Sequence, residues 1–248
     1  MSRVAWLALA ACAPASAQSR PAEAARPITY GLEIAFRSGH SDRGFLISDR
    51  PVVQPVAWLS AGGTDLSAWG NLPLSETTDG ARPEILEIEV THEHTWKRLT
   101  IAPAVRAYFY HDPLSPYNTR SIEGWLHLSF DTGPFSLFMT HSLDVETYQG
   151  AYFVDAGIKS EHSVSDRLEI GGSLGAGWAS ARFNDMWVGV ARSALNRVSA
   201  EGWLTAHVNS RYYIAPHVEF STLLDRDVRA AALRPGYVRV GLAVGGEF

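Results

Sequence analysis

From Ile28 onward, apolar and polar residues alternate with a period of two. That is the repeat of a strand, whose successive side chains point to opposite faces, and not of a helix. Between Arg98 and Tyr110, Leu99, Ile101, Pro103, Val105, Ala107 and Phe109 fall on one face. Arg98, Thr100, Ala102, Ala104, Arg106, Tyr108 and Tyr110 fall on the other. The same split recurs in segments beginning near Ile28, Val52, Leu66, Glu84, Arg98, Thr119, Phe135, Gln149, Arg167, Val198, Tyr212 and Gly236, about twelve in all.

The connections alternate in length. Short turns are expected at Ala61–Thr64, Thr95–Lys97, Asp131–Pro134, Ser163–Asp166 and Ser210–Arg211. Longer links lie at Ser38–Pro51, Pro73–Pro83, His111–Asn118, Asp144–Thr147, Ala179–Arg197 and Leu224–Pro235. Short turns at one end and long loops at the other, with an even strand count, predict an all-β fold. It is an antiparallel, up-and-down transmembrane β-barrel of about 12 strands, with its short turns and both termini on the periplasmic side.

A soluble barrel or sandwich alternates as well. Two features favour the membrane. Aromatic residues on the apolar face gather at strand ends (Phe36, Phe109, Phe130, Phe135, Tyr152, Trp178, Tyr212 and Phe248), as an interfacial girdle requires. The polar face is dense in charge of both signs, as suits a wet lumen. Its lumen-facing candidates are Glu33, Arg37, Glu87, Glu89, Arg98, Arg106, Glu123, His127, Asp155, Lys159, Glu169, Glu201, His207, His217, Glu219 and Arg239. Pro55, Pro103 and Pro216 fall on the lipid face, where each removes one ladder bond and marks an irregular spot.

Composition changes this picture little. The 248 residues are 46% hydrophobic and 19% charged with formal charge −5, and the mean hydropathy is −0.06. No run approaches the roughly 18–20 apolar residues of a transmembrane helix, which excludes helical spans only. Charges are dispersed, so no nucleic-acid footprint is expected. The single cysteine, Cys12, precedes the barrel, so neither a disulfide framework nor a cysteine zinc site is expected.

The N-terminus reads as a secretory signal. Arg3 supplies the positive charge, Val4–Ala11 the apolar core, and Ala15-Ser16-Ala17 the cleavage site. Leu9-Ala10-Ala11-Cys12 also resembles a lipobox, which would make Cys12 a lipidated terminus. The expected organisation is a signal peptide over 1–17, a Pro/Ala-rich leader over 18–27 and the barrel over 28–248. The expected location is the outer membrane of a Gram-negative bacterium.

Several short motifs carry a family resemblance: Ser41-Asp42-Arg43-Gly44-Phe45, Pro51-Val52-Val53-Gln54-Pro55 and Ser67-Ala68-Trp69-Gly70-Asn71. They are followed by Glu87-Ile88-Glu89, Tyr108–His111, Thr119–Glu123 and Gly150–Phe153. In order and spacing they resemble the Gcw_chp or TorF-like family of bacterial outer-membrane barrels, up to about Asn184. Asn184-x-x-Trp187-x-Gly189-Val190 is similar to the MipA/OmpV-type scaffolding barrels. The resemblance implies an exported barrel and supplies no catalytic residue. The aromatic end of the alternating strand, Phe248, resembles the C-terminal assembly signal of such barrels. It implies the barrel assembly machinery as a partner, with outer-membrane lipids around the wall.

Candidate chemistry is sparse. His92 and His94 share a strand face but lack a third convergent ligand, so no metal is expected. No cofactor is expected either. An outer-membrane lipid hydrolase would place serine and histidine together on the lipid face. His141 lies there, but Ser142 points inward, and a nucleophile needs its base within hydrogen-bond reach. The Ala179–Arg197 link is unusually apolar. Phe183, Asn184, Asp185 and Trp187 are candidates for a constriction folded into the mouth, against a loop packed on itself. The reading favoured is a narrow passive, porin-like channel for small polar solutes. The alternative is a structural or scaffolding barrel, its lumen plugged by Trp58, Trp69, Trp125, Trp203 and Phe138.

Overall fold

The computed structural model describes residues 28–112 and 118–248. The expected signal peptide, the leader and Cys12 lie outside the described residues, as does most of the His111–Asn118 loop. The elements in order are β1 (Thr29–Arg37), β2 (His40–Asp42), β3 (Phe45–Ser48), β4 (Val52–Ala61), β5 (Thr64–Pro73), β6 (Glu84–His92), β7 (His94–Trp96) and β8 (Leu99–His111). They continue with β9 (Asn118–Asp131), β10 (Ser136–Asp144), β11 (Tyr152–Ser165), β12 (Leu168–Ala179), α1 (Ala181–Val188), β13 (Ala194–His207), β14 (Tyr212–Leu223), α2 (Arg226–Ala231) and β15 (Gly236–Glu247).

Every barrel strand pairs antiparallel with its neighbours, and the strands form one closed ring. β6 pairs with β8, and β1 pairs with β15 from Gly31↔Glu247 to Arg37↔Gly241. Tyr30 and Phe248 then exchange backbone bonds of 3.0 and 2.8 Å at the seam. β7 continues β6, and β2–β3 form a separate hairpin, which leaves twelve wall strands. Closure has a physical cause, because an open strand edge in lipid would leave backbone groups with no partner.

Three ladder interruptions trace to the three prolines. The β6–β8 register runs to Thr91↔Ala104 and resumes on β7 at His94↔Ile101. The two skipped positions would pair His92 with Pro103 and Glu93 with Ala102. The β4–β5 register skips Pro55 opposite Gly70, and β13–β14 skips Pro216 opposite Leu204. Each proline keeps its pairing on the other side: Pro55 with Ile34, Pro103 with Leu126 and Pro216 with Leu242. A ring nitrogen without hydrogen can sit only where the strand has no bond to donate.

Alternation resolves into two surfaces. Outward side chains such as Leu32, Ile34, Val105, Leu174 and Val240 are exposed and aliphatic. The outward aromatics lie near the strand ends, as expected. Phe36, Phe109, Tyr152 and Trp178 mark the long-loop rim, and Phe130, Phe135, Tyr212 and Phe248 the short-turn rim. Inward positions hold the buried charges and large rings. Trp58, Trp69, Trp203 and Phe138 are buried, and Trp125 is half-buried.

Element boundaries differ from expectation at three places. β11 begins at Tyr152, not Gln149, and β13 begins at Ala194, not Val198. The link between β14 and β15 carries a helical turn, α2, opened by Asp225 accepting from the Asp227 and Val228 amides.

Candidate functional site

The first long loop is not a passive connection. Residues 38–51 form the β2–β3 hairpin, whose turn at Arg43-Gly44 holds both residues at positive φ, 46° and 98°. That is the backbone of a tight two-residue hairpin turn, and glycine supplies one of the two positions without a side-chain clash. The hairpin enters the barrel mouth. His40 Nδ1 and the Gln54 amide on β4 lie 3.2 Å apart, and Gln54 donates to Asn71 on β5 at 3.0 Å. On the other side of β1, Ser41 donates to the Tyr237 hydroxyl on β15 at 2.6 Å. At the tip, Arg43 donates to Glu123 on β9 at 2.9 Å and to Ser142 on β10 at 3.2 Å. The hairpin thus touches strands all round the ring.

Helix α1 covers this hairpin. Ser180 caps it by accepting from the Phe183 amide, and Gly189 ends it in the left-handed conformation (φ 69°). Phe183 and Asn184 are buried. Asn184 and Asn196 exchange amide bonds of 3.1 and 2.6 Å. Trp187 stacks on Phe45 of the hairpin at 5.4 Å with rings 4° from parallel. Phe45, Phe153, Phe183, Leu223 and Val228 make one apolar cluster. Asp185 is exposed on the outer side and lies 3.7 Å from Arg182. The apolar link therefore packs into a cap over the mouth, while the hairpin supplies the group that reaches into the lumen. Sequence reasoning missed this. Asp42-Arg43-Gly44 before the apolar run Phe45-Leu46-Ile47 signals a tight turn, but not its inward direction.

Below the hairpin, the inner wall carries two charged groups. In one, Arg106 on β8 donates to Glu89 at 2.6 Å and lies 3.3 Å from Glu87. Its guanidinium stacks over Trp125, 4.0 Å from the ring centroid. Tyr108 donates to Glu123 at 3.1 Å, so that carboxylate is aimed for the Arg43 tip. His127 Nδ1 is 3.3 Å from the Thr140 hydroxyl. In the other group, Arg239 bonds Glu219, Arg197 bonds Asp155 at 2.9 Å, and Tyr213 donates to Glu33 at 2.6 Å.

The expected lumen residues are placed as follows. Glu33, Arg37, Glu89, Glu123, Asp155, His217, Glu219 and Arg239 are buried on the inner face. Glu87, Arg106, His127, Lys159, Glu169, Glu201 and His207 are half-buried there. Lys159 is 3.6 Å from Glu161 and lies over Trp203, and His207 is 3.9 Å from Glu169 near the short-turn rim. Arg98 departs from the set. It sits exposed in the Lys97-Arg98 turn before β8, where the chain reverses and strand parity no longer sets direction. Arg197 was not among the candidates, although it is buried against Asp155. A register shift at Gly177/Trp178 buries Asn196 and Arg197 in succession, which breaks the alternation that would have found it.

Other candidates carry little chemistry. His141 faces outward, and its Nδ1 lies 2.6 Å from the Tyr152 hydroxyl, not against a serine. His92 pairs with the Thr64 hydroxyl at 2.9 Å. Among the described residues, no group of three or more His, Cys, Asp or Glu side chains converges as a metal site.

No protein-family model matches the chain, and no curated protein matches it. Among solved structures, it is similar to the KdgM porin at 11% identity and a TM-score of 0.50, over 89% of this chain and 98% of that one. It is similar to an outer membrane channel from Pseudomonas putida F1 at 9% identity and a TM-score of 0.51, over 93% of this chain and 100% of that one. At such identities the likeness is one of architecture. The chain has the fold of outer-membrane barrels.

Proposed function

We propose that this chain is an outer-membrane barrel acting as a narrow, passive, porin-like channel for small polar solutes, its mouth restricted by the β2–β3 hairpin. One observation carries the reading. Inward polar atoms such as Trp58 Nε1, Trp125 Nε1, Glu201 Oε1 and Arg239 Nη1 are buried yet have no hydrogen-bond partner among the described residues. In a dry core each would cost on the order of 1–3 kcal/mol. A wall that tolerates several of them, beside charges of both signs, is a wall that water or a polar solute serves. The charged residues named on the inner face are the proposed lining, and Phe183 to Trp187 the proposed cap over it.

The KdgM porin is a channel, and its likeness in fold agrees with this reading without carrying it. The finer family reading, a Gcw_chp or TorF-like barrel with MipA/OmpV-like C-terminal features, rests on the short motifs named above. Export by the 1–17 signal, removal of that segment, and assembly through the strand ending at Phe248 belong to the same proposal.

A second reading has its own support. The hairpin and its α1 cap occupy the mouth, and Trp58, Trp203 and Phe138 narrow the space beneath, an arrangement that also suits a plugged scaffolding barrel. Single-channel conductance in planar bilayers separates the two, comparing the full chain with one whose residues 39–49 are replaced by a short Gly-Ser link. A channel gives steps in the full chain that enlarge when the hairpin is removed. Zero conductance from both, at both polarities, leaves the scaffold.

A further inference from the structure

The hairpin tip does more than narrow the mouth. Arg43 is buried, and its guanidinium is held by three oxygens and two rings. Nη1 donates to Glu123 Oε1 at 2.9 Å and to Ser142 Oγ at 3.2 Å. Nε donates to Asp42 of the hairpin itself at 2.8 Å. The guanidinium carbon lies 5.0 Å from the centroid of Phe183 and 5.6 Å from that of Trp125. Glu123 is fixed by the Tyr108 hydroxyl. Apart from Asp42, every one of these groups belongs to the barrel or its cap and stays behind if the hairpin withdraws.

Arg43 and Asp42 leave as a pair of opposite charge, so the acidic excess of this wall persists while Glu123 loses its guanidinium partner. Among the described ion pairs on this side, Glu87, Glu89 and Glu123 then face Arg106. A carboxylate and a hydroxyl between two ring faces suit a flat, delocalised cation better than a compact ammonium, which is more strongly hydrated and cannot stack in the same way.

We infer that the Glu123–Ser142–Trp125–Phe183 site is a binding site for small organic cations bearing a guanidinium group, and that Arg43 occupies it as a tethered ligand. A free solute of this class competes with the tip, takes its place and favours hairpin withdrawal. The inference deepens the channel reading and rests on it for the solute's passage. Binding itself requires only the site.

The test uses the full-length folded barrel in detergent, with agmatine as probe and putrescine, its diamine counterpart lacking the guanidinium, as comparison. Folding of every variant is checked by heat-modifiable migration. Calorimetry is expected to show Arg43→Ala binding agmatine at least tenfold more tightly than the unmodified chain. Adding Glu123→Gln should abolish the gain, and putrescine should bind Arg43→Ala at least fivefold more weakly than agmatine. Arg43→Lys keeps a cation on the tip but loses the flat fork, so its agmatine affinity should fall between the two. It serves as the readout if Arg43→Ala does not fold. Equal agmatine binding by the unmodified chain and the tip variants overturns the proposal, as does equal binding of putrescine. Conductance of Arg43→Ala in bilayers is read separately. If agmatine binds with the expected pattern but neither chain conducts, the site stands and the channel reading falls.

Discussion

The indole of Trp58 on β4 lies flat against the barrel wall over Gly31 of β1, its direct cross-strand partner. A Cβ built on Gly31 would come within 2.0 Å of the Trp58 ring. The missing side chain is what lets so large a ring lie along the inside instead of standing across it. Trp203 over Gly171 repeats the arrangement on β13 and β12. Large inward rings therefore thicken the wall without by themselves filling the lumen.

Gly31→Ala is accordingly expected to push the indole off its seat and to destabilise the barrel by about 1–3 kcal/mol, the usual range for overpacking. Gly124→Ala, where an added Cβ meets nothing within 4 Å, should stay within about 0.5 kcal/mol. Urea unfolding of the refolded barrel in detergent, followed by gel migration, measures both. Equal midpoints for the two variants would show that the indole has somewhere else to go at no cost.

The lipid face offers a depth test. Ile34 lies in the middle of β1, exposed and outward, while Leu59 sits near the short-turn rim on β4. In a bilayer, Ile34→Arg should cost about 2–4 kcal/mol and Leu59→Arg only about 0–1 kcal/mol. Unfolding in phospholipid vesicles reads the difference. Equal costs at the two depths would contradict the orientation of this surface toward lipid.

How much of this was legible depended on parity. Wherever a strand keeps its alternation, as from Leu99 to Tyr110 or from Tyr212 to Leu223, residue number alone tells which side chains face in. That rule puts Glu123, Arg106, Glu219 and Arg239 on the inward side of their strands. The reasoning failed where parity lapses, at the Arg98 turn and at the bulge that buries Asn196 and Arg197 together. It also failed where long-range contact decides. Nothing local in Ser38–Pro51 says that the loop folds inward. That follows from Glu123 and Ser142, some 80 and 99 residues away, waiting for Arg43. The prolines were read as irregular spots, but which neighbour loses its pairing appears only once the register is known.

That register makes the split between β6 and β7 a consequence of Pro103. Pro103→Val restores an N–H facing His92, so the two short strands should join. The new bond contributes about 0.5–1.5 kcal/mol, largely offset by the freer unfolded chain once proline is lost. Net stability should change by less than about 1 kcal/mol. The sharper readout is amide exchange. The new amide at position 103 should be as protected as those of neighbouring strand residues. If it exchanges as fast as the Arg98 turn amide, proline is not the cause of the break.

The outer loops are tied together through Asp49, outside the spanning strands. Its carboxylate accepts from the Thr78 hydroxyl and from the Thr78 amide at 3.0 Å, and it pairs with Arg234 at 3.0 Å. The Thr78 hydroxyl bond, aided by the Thr78 amide and Arg234, holds its pKa below the ordinary aspartate value of 3.8. A carboxylate with a depressed folded pKa contributes stability that is complete above its unfolded value and is lost as pH falls through the folded one. The clamp between the first, second and last long loops should therefore be unchanged from pH 7 to pH 5 and loosen only below 3.8. Because the pairing is partly solvated, the effect should be modest, about a two- to fivefold rise in amide exchange at residues 76–80. Asp49→Asn should show that faster exchange already at pH 7 and no further change on acidification. Loosening of the unmodified chain centred above pH 5 would assign the clamp to some other group.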